Sequence, residues 1–311
     1  MLRDKILSRR AGILTYGMTP PKAILSRAQI QDISRKQVER LVDLDLDGLI
    51  LYDIQDEADR TAQERPFPYI RTIDPAVYAN EYLSQVEVSK IIYRCVGKYT
   101  SDEFATWLES GTTKHEHSVF VGASSSKQAV KLTLSEAYDL ANACQSNVCV
   151  GGVMIPERHI KMNNEHLRMI SKMKRGCKFF VSQATYNIEA TRNLLSDYFY
   201  YCTEHGIQMV PILINLSPCG SRKTLDFMKW LGISIPKWLE NELWHSSDSL
   251  DRSVRLIMKL FDEIFDFALE KGIPVGCSVE SVSTKRIEIE ASIQLVRDLK
   301  SLMERKLVPS L

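Results

Sequence analysis

Short apolar runs and longer amphipathic stretches alternate along the chain. The apolar runs fall at Ala11 to Met18, Gly48 to Ile54, Ser89 to Val96, His117 to Ala123, Val148 to Ile155, Phe179 to Val181, Met209 to Leu216 and Val275 to Val279. Runs that are apolar on both faces read as buried parallel strands rather than half-exposed ones. Helical spacing marks Ser34 to Val42, a stretch from Asp74-Pro75, another from Thr100, then Thr133 to Ala143, Asn163 to Lys174, Ile188 to Glu204, Arg222 to Trp230, Asp251 to Lys271 and Ile287 to Glu304. The boundaries carry their own signals. Asp74-Pro75 is an N-cap with proline at the first helical position, Thr133 with Glu136 is a capping box, and Gly176 and Gly206 are helix stops. Eight such strands separated by helices predict a (β/α)8 TIM barrel, one domain over residues 1–311, rather than an open sheet.

Composition narrows the class without changing the fold. Hydrophobic residues make up 44% and charged residues 25%, ordinary values for a soluble domain. With 40 basic against 39 acidic residues the net charge is +1, which favours no polyanionic partner such as nucleic acid. No apolar run approaches the roughly 20 residues of a membrane span, and MLRDKILSRRAG has no apolar core before a cleavage site, so a cytoplasmic protein with no membrane partner is expected. The seven cysteines are scattered without a CxxC pair, and Cys95, Cys149 and Cys277 lie inside strand-like runs as small hydrophobes. Among the six histidines there is no HxxxH or HExxH, so no metal site is predicted.

A parallel barrel gathers its chemistry at the strand C-termini. Gln183 ends the sixth strand, and its amide offers both donor and acceptor to a planar heterocycle; Tyr186 follows it. His159 comes just after the fifth strand. Tyr52 and Tyr93 offer flat faces for an aromatic cofactor, and Ser124-Ser125-Ser126-Lys127 could hold a phosphate without being a P-loop. No GxGxxG is present. Each has a blander alternative: a cap or turn, a surface histidine, a packed tyrosine. Glu280, at the tip of the eighth strand, lies next to the first strand once a barrel closes, which makes it the candidate catalytic acid. Its alternative is to cap the next turn or to pair with Lys285 or Arg286.

The motifs together resemble the methylenetetrahydrofolate reductase family, a flavin-dependent (β/α)8 barrel. Tyr16-Gly17-Met18-Thr19-Pro20-Pro21-Lys22 is similar to its FEFFPPK, Thr100-Ser101-Asp102-Glu103-Phe104 to its TPDEL, and Pro156-Glu157-Arg158-His159 to its PExH. Lys172, Gly176 and Phe180-Val181-Ser182-Gln183 resemble its flavin- and folate-contacting helix and strand, and Met209-Val210-Pro211-Ile212 with Ile235-Pro236-Lys237-Trp238 its late segments. The resemblance implies that Gln183 contacts folate and that His159 and Lys172 contact FAD. It also exposes departures. Gly17 replaces the glutamate that gives folate a proton, Ser124 the aspartate that tunes flavin and binds the pterin, and Ile155 a tyrosine that packs on the isoalloxazine, while Tyr93 stands near a flavin-contacting histidine. Two readings follow. One is an FAD-dependent reductase of a folate one-carbon unit; the other is a flavin-free folate-dependent transferase or folate-binding protein. Either could act as a homo-oligomer or with a partner subunit.

Overall fold

In the computed structural model, which describes residues 1–57, 61–111, 117–123, 128–144 and 147–308, eight parallel strands close on themselves in sequence order. They are β1 (Leu14–Met18), β2 (Gly48–Leu51), β3 (Ser89–Cys95), β4 (His117–Val121), β5 (Cys149–Met154), β6 (Phe179–Ala184), β7 (Ile212–Leu216) and β8 (Val275–Glu280). Strand β8 pairs with β1, so the fold is the (β/α)8 barrel that the alternation predicts.

Around it lie α1 (Leu2–Leu7), α2 (Arg27–Leu41), α3 (Pro75–Glu81), α4 (Ser101–Gly111), α5 (Leu134–Ala143), α6 (Pro156–Met162), α7 (Glu165–Lys174), α8 (Ile188–Glu204), α9 (Arg222–Trp230), α10 (Lys237–Trp244), α11 (Ser249–Glu270) and α12 (Arg286–Leu307). Four of these differ from the periodicity, one being α10, which starts at Lys237 where no helical spacing was read. Helix α2 starts well before Ser34, because Ser26 and Gln29 form a capping box that launches it early. Helix α6, which the helical spacing does not mark, begins directly at Pro156, since proline is pre-set for the first helical position. Helix α1 is a plug: Leu2 and Ile6, one turn apart, enter the same buried cluster as Ile50, Ile91, Val119 and Phe179 inside the barrel.

Closure depends on glycine where backbones meet. A Cβ on Gly276 would lie 2.2 Å from the carbonyl oxygen of Ile13, because the segment entering β1 runs directly against β8. That approach is bonded from both sides: Cys277 N–H donates to Ile13 and Gly12 N–H to Val275, each at 2.8 Å. Elsewhere the interior fills by pairing a glycine with an aromatic ring. Phe179 occupies the space above Gly151, and Tyr52 the space above Gly17. The cysteines are all free thiols, and all but Cys144 are buried. Among the described residues no helix is long and apolar enough to cross a membrane.

Two predictions follow from this packing. Gly276→Ala puts a methyl against backbone that no rotamer can relieve, so it should lower unfolding free energy by about 3 kcal/mol, read as a urea midpoint shift; a loss under about 1 kcal/mol would mean that the strands can part there. His117 is buried at the start of β4, and among the described residues neither ring nitrogen has a hydrogen-bond partner. Burial, helped by the Arg3 charge, pushes its pKa down to about 4. The unfolded value is about 6.5, so its stability contribution is intact above pH 6.5 and is lost as pH falls from there toward 4. His117→Phe should flatten that part of the Tm-against-pH curve; an unchanged slope would acquit His117.

Candidate functional site

A cavity of about 460 Å³ opens at the C-terminal mouth of the barrel. Its floor is made by the ends of the inward faces: Gly17 of β1, Tyr52 just past β2, Tyr93 of β3 and Glu280 of β8. Arg40 of α2 and the 281–284 loop form one side, and Arg65, Phe227 and Leu231 roof the other.

The floor is built by register. Gly17 lies opposite Glu280 across the β1–β8 seam. With no side chain at Gly17, the Tyr52 phenol moves into its place; a Cβ there would be 2.6 Å from Tyr52 Oη. The Tyr52 ring stands edge-on to Tyr93, centroids 4.8 Å apart at 73°. Tyr52 Oη is buried with no hydrogen-bond partner. Glu280 accepts a 2.7 Å hydrogen bond from Asn215 Nδ2 on β7. Asn215 is itself fixed, since Ser182 Oγ accepts from its backbone N–H at 2.8 Å, while its Oδ1 is buried without a partner.

These surroundings set the proton positions. Glu280 touches the cavity but is enclosed by protein elsewhere, and that desolvation raises its pKa above the usual carboxylate range, offset only in part by the Asn215 amide. Burial, and next the Glu280 charge, push the Tyr52 and Tyr93 hydroxyls well above 10. Burial thus disfavours the charged form at all three groups, and Glu280 is the one carboxyl among them. Among the described residues it has no ion pair, for Lys285 goes to Glu288 and Arg286 to Glu290.

Above the floor, Arg65 packs against aromatic rings, with Tyr69, Phe227 and Trp230 centroids 5.7, 5.3 and 5.2 Å from its guanidinium carbon. Its Nε is buried without a partner. Trp230 Nε1 donates to Gln63 at 3.0 Å, tying α9 to the loop after β2.

The predicted residues divide into three groups. Glu280, Tyr52 and Tyr93 meet at the floor. Gln183 stands one layer back: its Nε2 donates to the Leu231 carbonyl at 2.7 Å, holding a roof residue, and its Oε1 is buried without a partner. Tyr186, His159 and Lys172 do not line the cavity. Tyr186 is buried between strand ends and α11, donating to the Ser217 carbonyl beside Ser253. His159 faces Asp197 of α8, and Lys172 Nζ donates to the Val153 carbonyl at 2.6 Å from outside the barrel. Ser124 lies outside the described residues. Asn215 and Arg65 were not foreseen. Asn215 is the lone polar residue in ILINL, at an inward-facing position, and Arg65 precedes Pro66-Phe67, so each left a faint trace. The flavin positions do not fit FAD: His159 and Lys172 are engaged in helix packing, and Tyr93 is packed edge-to-face with Tyr52.

One solved structure, a Clostridium thermocellum protein that binds two copies of 5-methyl-5,6,7,8-tetrahydrofolic acid, is 50% identical to this chain, covering 97% of it and 99% of its own length, with a TM-score of 0.87. The chain belongs to that protein's family. Dihydropteroate synthases from Xanthomonas albilineans (12% identity, 97% and 95% covered, TM-score 0.48) and Vibrio fischeri (10%, 96% and 95%, 0.47) are far more distant, and no argument rests on them. No family model and no curated protein matches the chain.

The electrostatics of the floor can be tested without a ligand. Because Glu280 has a folded pKa above its unfolded one, its contribution to stability is whole below about pH 4.3 and is lost as pH rises through the folded pKa. Glu280→Gln should therefore gain in Tm relative to the parent as pH is raised from 4.5 to 8. A difference that stays constant with pH would mean that Glu280 is not held protonated.

Proposed function

We propose that this chain binds a reduced folate at the mouth of the barrel and uses it in one-carbon chemistry without a flavin, with Glu280 as the proton donor. The observation that carries the reading is the Glu280 carboxyl, enclosed at the cavity floor with an amide rather than a cation for a partner. Support comes from the 50% identical relative that binds 5-methyltetrahydrofolate. The seven free thiols suit a reducing, cytoplasmic setting.

The chemistry follows from what a methylated reduced folate requires. Its N5 is a tertiary amine, a poor leaving group unless protonated. A carboxyl held in its acid form can give N5 that proton as the C–N bond breaks and the methyl group moves to a nucleophile, the bonding electron pair staying on nitrogen. Tyr52, a phenol in the place that Gly17 vacates, fills the floor against Tyr93 beside the acid. Arg65 and Arg40 at the cavity wall are suited to the carboxylates of the folate tail. The finer alternative, an FAD-dependent methylenetetrahydrofolate reductase, asks of His159 and Lys172 contacts that they already spend on packing.

Calorimetry with 5-methyltetrahydrofolate tests the reading. The parent should bind it, with affinity falling as pH rises through the folded pKa of Glu280. Glu280→Gln, whose amide still donates but does not titrate, should bind without that pH dependence. Arg65→Met should weaken binding by about 1 to 3 kcal/mol, 5- to 150-fold, at any pH. Absence of binding in the parent would sink the folate reading. A pure protein that takes up FAD stoichiometrically and turns yellow would restore the reductase.

A further inference from the structure

On the far side of the barrel wall, α6, α7 and α8 bring together three side chains that the cavity does not use. His159 is on α6 and only 3% exposed; His166 is in the first turn of α7; Asp197 is on α8. The two histidines meet because the chain reverses between α6 and α7 at Asn163, in the left-handed region with φ 47°. One nitrogen of each ring and a carboxylate oxygen of Asp197 lie within 4.8 Å of one another. His159 Nε2 is 3.2 Å from Asp197 Oδ2, and the two rings stand edge to face with centroids 5.4 Å apart. The Nδ1 atoms of both rings are buried without a hydrogen-bond partner.

We propose that His159, His166 and Asp197 form a binding site for a divalent ion of the zinc type, joining α6, α7 and α8. Two imidazoles and a carboxylate are a borderline-soft donor set suited to zinc and unsuited to calcium or magnesium. Ligands about 2.1 Å from a shared ion stand about 3.5 Å apart in a tetrahedron, leaving one position for water. The His159–Asp197 pair is already that close, and the half-exposed His166 has freedom to close the rest. The site also touches the cavity roof indirectly. Glu157, in the first turn of α6, accepts from the Ser234 backbone N–H at 3.2 Å, and Ser234 follows the roof residue Leu231. An ion that fixes α6 therefore steadies the segment that carries the roof.

The proposal is independent of folate binding and is tested with the metal alone. Untagged full-length chain, stripped with chelator, should take up one zinc ion per chain at micromolar concentration or tighter in calorimetry, with a rise in Tm. Cobalt in its place should give the visible bands of a four-coordinate site. His166→Asn and Asp197→Asn alter partly exposed side chains, so both should keep the parent's circular dichroism while losing at least tenfold in zinc affinity and the cobalt bands. Failure of the parent to bind zinc stoichiometrically would overturn the proposal. So would equal binding by both variants, which would assign the metal to other groups such as the free thiols.

Discussion

The seam between β8 and β1 is the constraint on which the rest depends. Gly276 permits it, because any side chain there would meet the Ile13 backbone, and the register it fixes sets Gly17 opposite Glu280. Two consequences follow from one pairing. The lack of a side chain at Gly17 lets the Tyr52 phenol cross the floor, and the same register puts a carboxyl at the edge of that phenol. A slip of one residue would turn Glu280 outward into the helix layer and leave the floor apolar.

What sets Glu280 apart is its company. Buried glutamates elsewhere among the described residues have cations beside them: Glu165 has Arg158 and Arg168, Glu240 has Lys229 and Lys237, and Glu288 has Lys285 with donors from Thr224 and Gly220. Glu280 has a single amide and no cation, and the amide offsets the cost of its charge only in part. A buried carboxyl without a cation beside it, at the floor of a cavity, is the kind of group from which functional sites are built.

Much of this was legible in the sequence, and what was not has a physical reason. Eight apolar runs gave eight strands because burial on both faces leaves a strong signal. The meeting of Glu280 with Gly17 followed from closure alone. Side-chain direction beyond a strand's last residue is a different matter. Pro156 starts α6 at once, and the turn of that helix carries His159 round to α8 instead of over the mouth. Lys172 was placed by its helix, yet which side of the β5 tip it would reach is a tertiary fact. Asn215 was hidden by the apolar run around it, although period-2 alternation points it inward with Leu213. Arg65 sits in irregular chain, where no periodicity reports what it will pack on.

Floor and roof are held by different kinds of force, and that divides their roles. The floor is locked by strand pairing around a closed ring, and moving any part of it means breaking the ladder. The roof is attached by separate bonds: Gln183 to the Leu231 carbonyl, Trp230 to Gln63, Ser234 to Glu157. Each can be exchanged for a bond to a ligand at small net cost, since one hydrogen bond replaces another. Gln183 is the clearest case, because its Oε1 is already buried without a partner and its donor is spent on a loop carbonyl. A planar heterocycle entering under the roof could take both halves of that amide and release Leu231 in the same step. The floor is thus fixed by the ladder, and the roof is the part of the cavity that can yield to an entering ligand.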